Sequence, residues 1–286
     1  MIRFLAAVVF LLPSGILPAI LPQPEEIIRK VARRQRESEL QLAAYTFDQV
    51  EARTEFDSKG RPSKTERRLF YYFSSETPGQ GTRELVEIDG RSATPEEKQK
   101  ALDEDSKRLR SRGAGRAEGE GSRPQSVQGE EDPLVGPRRL SDLLSRYEFQ
   151  LEAEEVVEGR PAYVISFRPR AGLSAASMGD RALNALGGTA WIDASEFQIM
   201  KVEAHLVEPL KVGGGLLANL KSAGILYEAK PVSEGAWLPC LVEFRFAGKT
   251  AVFFRLDRAV RFEFSNFRSF GVETESKVTS EATEDP

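Results

Sequence analysis

The chain holds one cysteine, Cys240, and one histidine, His205. A lone cysteine excludes an internal disulfide, and none lies near the N-terminus to accept a lipid. Cys240 follows Trp237-Leu238-Pro239 at the start of a strand and reads as a buried structural thiol, with no base beside it to activate it. A lone imidazole leaves no histidine cluster for a metal and no partner for Ser177 or Ser265 in a nucleophilic triad. His205 and Glu203 fall on one face of a strand and read as a surface pairing. Gly213-Gly214-Gly215 lacks the lysine and the strand-turn-helix order of a phosphate loop. Basic excess is missing too: the formal net charge is -4, which argues against a nucleic-acid surface. No cofactor and no metal is expected, and Asp193, Glu203 and Glu243 read as solvated strand carboxylates unless the fold brings two together in a cleft.

The one long apolar run is N-terminal. Arg3 precedes the stretch Phe4 to Leu12, and Pro13, Ser14 and Gly15 break it, as in an export signal. The expectation is a signal peptide over residues 1–19, cleaved after Ala19, and a periplasmic mature protein. The alternative is an uncleaved anchor from Phe4 to Leu21, about 18 residues long and near the short limit for a spanning helix.

A first mature helix is expected from Gln23 to Leu42, with Pro24 in its first turn, Glu25 and Glu26 at the positive end of its dipole, and Ile27, Ile28, Val31, Leu40 and Leu42 for docking. Strands follow from Tyr45 to Phe56 and from Lys64 to Ser74, joined by the turn Asp57-Ser58-Lys59-Gly60, then from Arg83 to Ile88, ending at Asp89-Gly90. Thr94 and Pro95 open a very polar helix that should lie on the surface. Arg112 to Gly136, rich in Gly, Arg, Glu and Ser, reads as disordered, so that residues 94–139 form a charged insertion. Leu140 to Tyr147 reads as a short helix.

Further strands are expected at Phe149 to Val157 and Ala162 to Arg168, joined at Glu158-Gly159-Arg160-Pro161, with Tyr163, Ile165 and Phe167 on one face. A loop with room for one helical turn spans Pro169 to Gly188. More strands follow at Thr189 to Ile192, Gln198 to Val207, Gly224 to Lys230, Leu238 to Phe246, Thr250 to Leu256 and Val260 to Phe267, with Lys211 to Lys221 as a flexible hinge into an apolar turn. Val242, Phe244 and Phe246 alternate with Glu243, Arg245 and Ala247, the two-residue period of a sheet with one face out of water. The total is roughly eleven strands, too many to stay flat. The acidic tail at residues 273–286 reads as disordered.

The long first helix, the opening Tyr45-Thr46-Phe47, the pairing of Gly188-Thr189-Ala190-Trp191-Ile192-Asp193 with Ile199-Met200-Lys201-Val202-Glu203-Ala204, the Trp237-Leu238-Pro239 segment and the ending Phe264 to Phe270 together resemble the LolA-like periplasmic lipoprotein-sorting carriers. The resemblance implies a mainly β fold with α: an antiparallel incomplete β-barrel, or half-barrel, of roughly eleven strands covered by helices, in one domain over residues 23–272. It also implies an apolar cavity that receives acyl chains of a lipid or lipoprotein, with no enzymatic activity and only transient contact with a membrane surface. Trp191, Phe244, Phe246, Phe253, Phe262 and Phe264 are the candidate cavity-lining residues. Two other classes are an envelope-sensing module that binds a protein partner through the insertion, and a carboxylate-dependent envelope hydrolase.

Overall fold

The computed structural model describes residues 22–42, 44–73, 81–117, 145–175, 178–212, 218–233, 235–250 and 254–269. The expected signal segment, residues 118–144, the triple glycine, candidate Phe253 and the acidic tail lie outside them.

Twelve antiparallel strands form a single open sheet. They are β1 (Tyr45–Phe56), β2 (Pro62–Phe73), β3 (Thr82–Ile88), β4 (Arg91–Ser92), β5 (Tyr147–Val157), β6 (Arg160–Pro169), β7 (Leu186–Asp193), β8 (Ile199–Leu206), β9 (Leu210–Val212), β10 (Ala218–Ser233), β11 (Ala236–Thr250) and β12 (Phe254–Ser269). Their order is β4-β3-β2-β1-β12-β11-β10-β8-β7-β6-β5, with β9 paired to β10. The first meander is therefore joined to the second half of the chain by β1 against β12. Three helices complete the described fold: α1 (Pro24–Leu42), α2 (Pro95–Ala117) and α3 (Met178–Leu183). None is long and apolar enough to cross a membrane.

The turns follow from local chemistry. The Asp57 carboxylate accepts the Lys59 and Arg61 backbone N–H groups at 2.8 and 2.9 Å, while Gly60 takes φ +74°. Asp89-Gly90 and Glu158-Gly159 both have two positive φ values, 49° and 80°, then 50° and 81°. That is the two-residue hairpin turn whose twist matches its strands. It frees Arg160 and Pro161 to begin β6 instead of lying in the turn.

Four expectations change. Thr250 to Leu256 and Val260 to Phe267 are not two strands: β12 runs unbroken from Phe254 to Ser269 and pairs with β11 from Leu241 to Thr250. Asp257 and Arg258, in the expected gap, continue the strand because their charges are satisfied across the ladder, Asp257 with Arg245 at 3.7 Å and Arg258 with Glu55 at 3.3 Å. Ala218 to Lys221, expected in an apolar turn, opens β10. The α2 helix runs to Ala117, overlapping the stretch expected to be disordered from Arg112. Of the expected short helix, Ser145 and Arg146 form a turn and Tyr147 already belongs to β5.

A capping box starts α2. The Glu97 N–H donates to Thr94 Oγ1 at 3.3 Å, and the Thr94 N–H donates to Glu97 Oε2 at 2.9 Å, satisfying two orphan donors. Arg91 closes on the same carboxylate at 2.6 and 2.9 Å. Hydrogen bonds from Arg91 and the Thr94 backbone pull the Glu97 carboxyl down to about 2. A folded value below the ordinary 4.5 means that its contribution is complete above that pH and fades as pH falls toward about 2. Carboxyl-detected NMR should therefore find Glu97 still ionised at pH 3.5; a midpoint near 4.5 would show that the box is not closed.

Candidate functional site

One row of cross-strand partners runs over the sheet. Ile165 faces Ala190, Ala190 faces Val202, Val202 faces Tyr227, Tyr227 faces Val242, and Val242 faces Phe262. Phe262 in turn faces Glu51, and Glu51 faces Arg68. Directly paired residues point to the same side of a sheet, so this row marks the inner face of the half-barrel.

The two long helices cover opposite ends of that face. Ile27, Ile28 and Val31 of α1 pack on Ile165, Ala190 and Ile192, with Phe149, Leu151 and Val202 around them. Complete burial of such aliphatic side chains is worth about 1.5–3 kcal/mol each. The β7–β8 turn also holds the helix: Lys30 Nζ lies 4.6 Å from the centre of the Phe197 ring, and Ser38 Oγ donates to Gln198 Oε1 at 3.2 Å. At the other end Ala101 of α2 packs on Phe70 and Leu85, while Leu102 is 47% exposed. The docked apolar stripe of α2 is thus narrow, as its composition requires.

Charge supplies what α2 lacks in apolar contact. Arg83 lies with its guanidinium 4.0 Å from the Phe70 ring centre and donates to both Asp105 oxygens at 2.7 Å and to Glu51 Oε2 at 3.1 Å. Arg53 Nε donates to the other Glu51 oxygen at 2.5 Å. Glu51 is only 1% exposed. Burial acts to raise its pKa, but the adjacent Arg53 and Arg83 outweigh burial and hold it below the ordinary carboxylate value. Nothing local in the sequence around Glu51 reveals this, because Arg83 and Asp105 come from distant segments.

Between the helices lies an aromatic strip. Phe244 is buried, and Phe246, Phe262 and Phe264 are half-buried. The Phe244 ring lies 6.4 Å from those of both Phe246 and Phe262. Phe264 meets Phe47 at 5.7 Å, and Phe47 stacks on Tyr72 at 4.4 Å. Four of the six candidate residues are therefore gathered on one face. Trp191 is placed elsewhere: it alternates with Ala190 and Ile192 of the α1 cluster, and its indole N–H donates to Glu155 at 3.3 Å with Lys201 Nζ 5.0 Å from the ring centre. Phe47, Tyr72 and Tyr227 also belong to the inner face and were not among the candidates, whereas Val242 lies where its alternation with Phe244 and Phe246 puts it.

Beside the strip, under the C-terminal half of α1, is a cavity of about 160 Å³. Gln35, Ser38 and Leu42 form its roof, and Gln198, Ile199, Tyr227, Ala229, Trp237 and Pro239 its walls. Trp237 is fixed from behind: its indole N–H donates to Glu196 at 3.0 Å, and Arg160 stacks 5.2 Å from the ring centre while donating to Asp193 at 2.5 Å and Glu196 at 2.6 Å. Asp193, fully buried, also accepts the Ser195 and Glu196 backbone N–H groups at 2.9 and 2.7 Å. Burial would raise its pKa, yet the bonds from Arg160, Ser195 and Glu196 leave it lowered.

The carboxylates weighed for catalysis are separated into their own ion pairs, Asp193 with Arg160, Glu203 with Lys201 at 2.6 Å and Glu243 with Arg261 at 3.2 Å. Among the described residues, no group of three His, Cys, Asp or Glu side chains is placed to hold a metal ion. Burial pushes the Cys240 thiol up, away from the reactive thiolate.

No family model matches the sequence, and no curated protein sequence matches it. Solved structures do. A putative outer membrane lipoprotein-sorting protein domain from Vibrio parahaemolyticus is 12% identical, with 87% of this chain and 95% of that one covered and a TM-score of 0.36. A LolA superfamily protein from Nitrosomonas europaea is 14% identical, with 88% and 96% covered and a TM-score of 0.35. The Pseudomonas aeruginosa MucA/MucB complex gives 14% identity, 86% and 98% covered and a TM-score of 0.24. The chain is thus similar over most of its length to LolA-like structures, at values that transfer no function to it.

The buried ion cluster makes a sharp prediction. Arg83→Met leaves Glu51 with Arg53 alone and Asp105 without its bidentate partner, and should cost about 3 kcal/mol in urea unfolding. Because Glu51 is held below 4.5 in the folded chain, its contribution is present above that pH and lost as pH falls. The variant should therefore show a flatter acid limb of stability than the parent. Equal stability and an unchanged limb would mean that α2 is held by its apolar contacts alone.

Proposed function

We propose that this chain is an exported, non-enzymatic binding protein that holds the alkyl or acyl chain of a lipid, lipoprotein or other amphiphile on the aromatic strip between α1 and α2. The observation that carries this reading is the middle of the inner face: Phe246, Phe262 and Phe264 stand half-buried between two helices that cover only its ends. Aromatic rings left partly open to water in this way mark a site of contact with an apolar partner. Export rests on Arg3 and the run Phe4 to Leu12, which also supports a periplasmic site of action. The ligand-binding unit is the single domain of residues 23–272, with residues 94–139 inserted in it, and contact with a membrane surface is brief.

The free energy available is set by the chain that enters. Each methylene removed from water contributes about 0.8 kcal/mol, so each added CH₂ should tighten binding up to about fourfold while the strip has room. Titration with alkyl maltosides of eight, ten and twelve carbons, below their micelle concentrations, should show that increase. Phe262→Ser should weaken the longest by about tenfold, with the chain still folded by circular dichroism. Affinity independent of chain length, or unchanged in the Phe262 variant, would overturn the reading.

A further inference from the structure

The aromatic strip ends against a charged wall on the same face of the sheet. Two further rows of cross-strand partners lie beside the one through Phe262. In the first, Ile225 faces Phe244, Phe244 faces Val260, Val260 faces Arg53 and Arg53 faces Glu66. In the second, Ala223 faces Phe246, Phe246 faces Arg258, Arg258 faces Glu55 and Glu55 faces Lys64. Paired residues share a side of the sheet, as do residues two apart on one strand, so both rows belong to the inner face with Phe262. Each row passes from apolar residues on β10 and β11 to charged ones on β1 and β2, and the change falls at β12. Neighbouring strands stand about 4.8 Å apart, so the charged wall begins one strand beyond Val260 and Phe262.

Each carboxylate of this wall already has a cation. Glu51 accepts from Arg53 and Arg83, Glu55 lies 3.3 Å from Arg258, and Glu66 accepts from Arg68 at 2.6 Å. Toward α2, Glu104 pairs with Arg68 at 3.6 Å and Asp105 with Arg83 at 2.7 Å. The cations, by contrast, are not all used. Arg53 gives only its Nε to Glu51, at 2.5 Å; its two Nη groups have no acceptor among the described residues, and its side chain is 39% exposed. Lys64, exposed and diagonal to Arg53 across β1 and β2, has no partner for its ammonium among the described residues. The buried Glu51 carboxylate thus fixes the Arg53 guanidinium at Nε and leaves its Nη fork of parallel N–H donors open, the geometry that fits an oxyanion. We infer that the amphiphile on the strip carries an oxyanionic head, which Arg53 takes in that fork with Lys64 beside it, while the alkyl chain runs from Val260 and Phe262 toward Phe244. This inference rests on the strip holding an alkyl chain. A cationic head would meet no free carboxylate in the wall, and a neutral head would gain no charge-assisted bond.

The test is calorimetric titration of the full chain at pH 7.5 and low salt with decyl phosphate, decyl maltoside, decyltrimethylammonium and inorganic phosphate, the amphiphiles below their micelle concentrations. Decyl phosphate should bind at least about tenfold more tightly than decyl maltoside, and the margin should shrink as salt is raised. Arg53→Gln should remove most of that preference, and Lys64→Gln, at an exposed position, should reduce it by about threefold. Phe262→Ser should weaken decyl phosphate and decyl maltoside alike, since both chains rest on that ring. Circular dichroism checks that each variant is folded, and Lys64→Gln carries the test alone if Arg53→Gln is not. The inference is overturned, with the alkyl-chain reading left standing, if decyl maltoside or decyltrimethylammonium binds as tightly as decyl phosphate, or if Lys64→Gln or a folded Arg53→Gln leaves the preference unchanged. Inorganic phosphate binding as tightly as decyl phosphate overturns it too, by marking a plain anion site. Binding of none of the three amphiphiles removes the reading and the inference together.

Discussion

The apolar face of this sheet is wider than the helices available to cover it, and the arrangement of the other elements follows from that mismatch. The row from Ile165 through Tyr227 and Phe262 to Arg68 keeps one side of the sheet facing inward over nearly its whole width. Twelve strands are more than a flat sheet usually carries, and curling turns that side into a concavity. Only α1 has an apolar stripe to match it. The α2 helix offers Ala101 and then relies on the Arg83 bridge between Asp105 and Glu51. Phe246, Phe262 and Phe264 remain between them, packed on one another and on Phe47 instead of on a helix.

The two helices are consequently held by different physics, with different responses to conditions. Hydrophobic contacts of Ile27, Ile28 and Val31 are insensitive to pH, so α1 should stay docked wherever the sheet is folded. The α2 end depends on carboxylates, Glu97 in its cap and Glu51 beneath it, both held below their ordinary values by arginines. Acid therefore weakens the α2 end through Glu51 and Glu97, and reaches α1 only through Asp193 in the β7–β8 turn. The glycines contribute at one place in particular: a Cβ on Gly188 would lie 2.0 Å from the Glu203 carbonyl oxygen, so β7 and β8 approach there as only glycine permits.

Much of this was legible in the sequence because the signals were local. Alternation at Tyr163, Ile165 and Phe167 and at Val242, Phe244 and Phe246 set the inner face, and Asp89-Gly90 and Glu158-Gly159 set the turns. Thr94 and Pro95 located the start of α2 to the residue. What escaped was decided at a distance. Asp257 to Ala259 read as a break between two strands because the groups that pair with Asp257 and Arg258 stand on neighbouring strands. Trp191 attracted attention by its type, yet register puts it opposite the Ala190 and Ile192 side. Glu51 carried no mark of burial at all, since the groups that neutralise it are 32 residues away at Arg83 and two away at Arg53.

The proposed resting place of an alkyl chain is the aromatic strip. Isotope-filtered NMR on the uniformly labelled protein with unlabelled dodecyl maltoside below its micelle concentration tests it most directly. Intermolecular Overhauser effects are expected from the alkyl methylenes to the rings of Phe244, Phe246, Phe262 and Phe264. Contacts confined to the other side of the sheet, at Trp191, with silent rings on the strip, would contradict it.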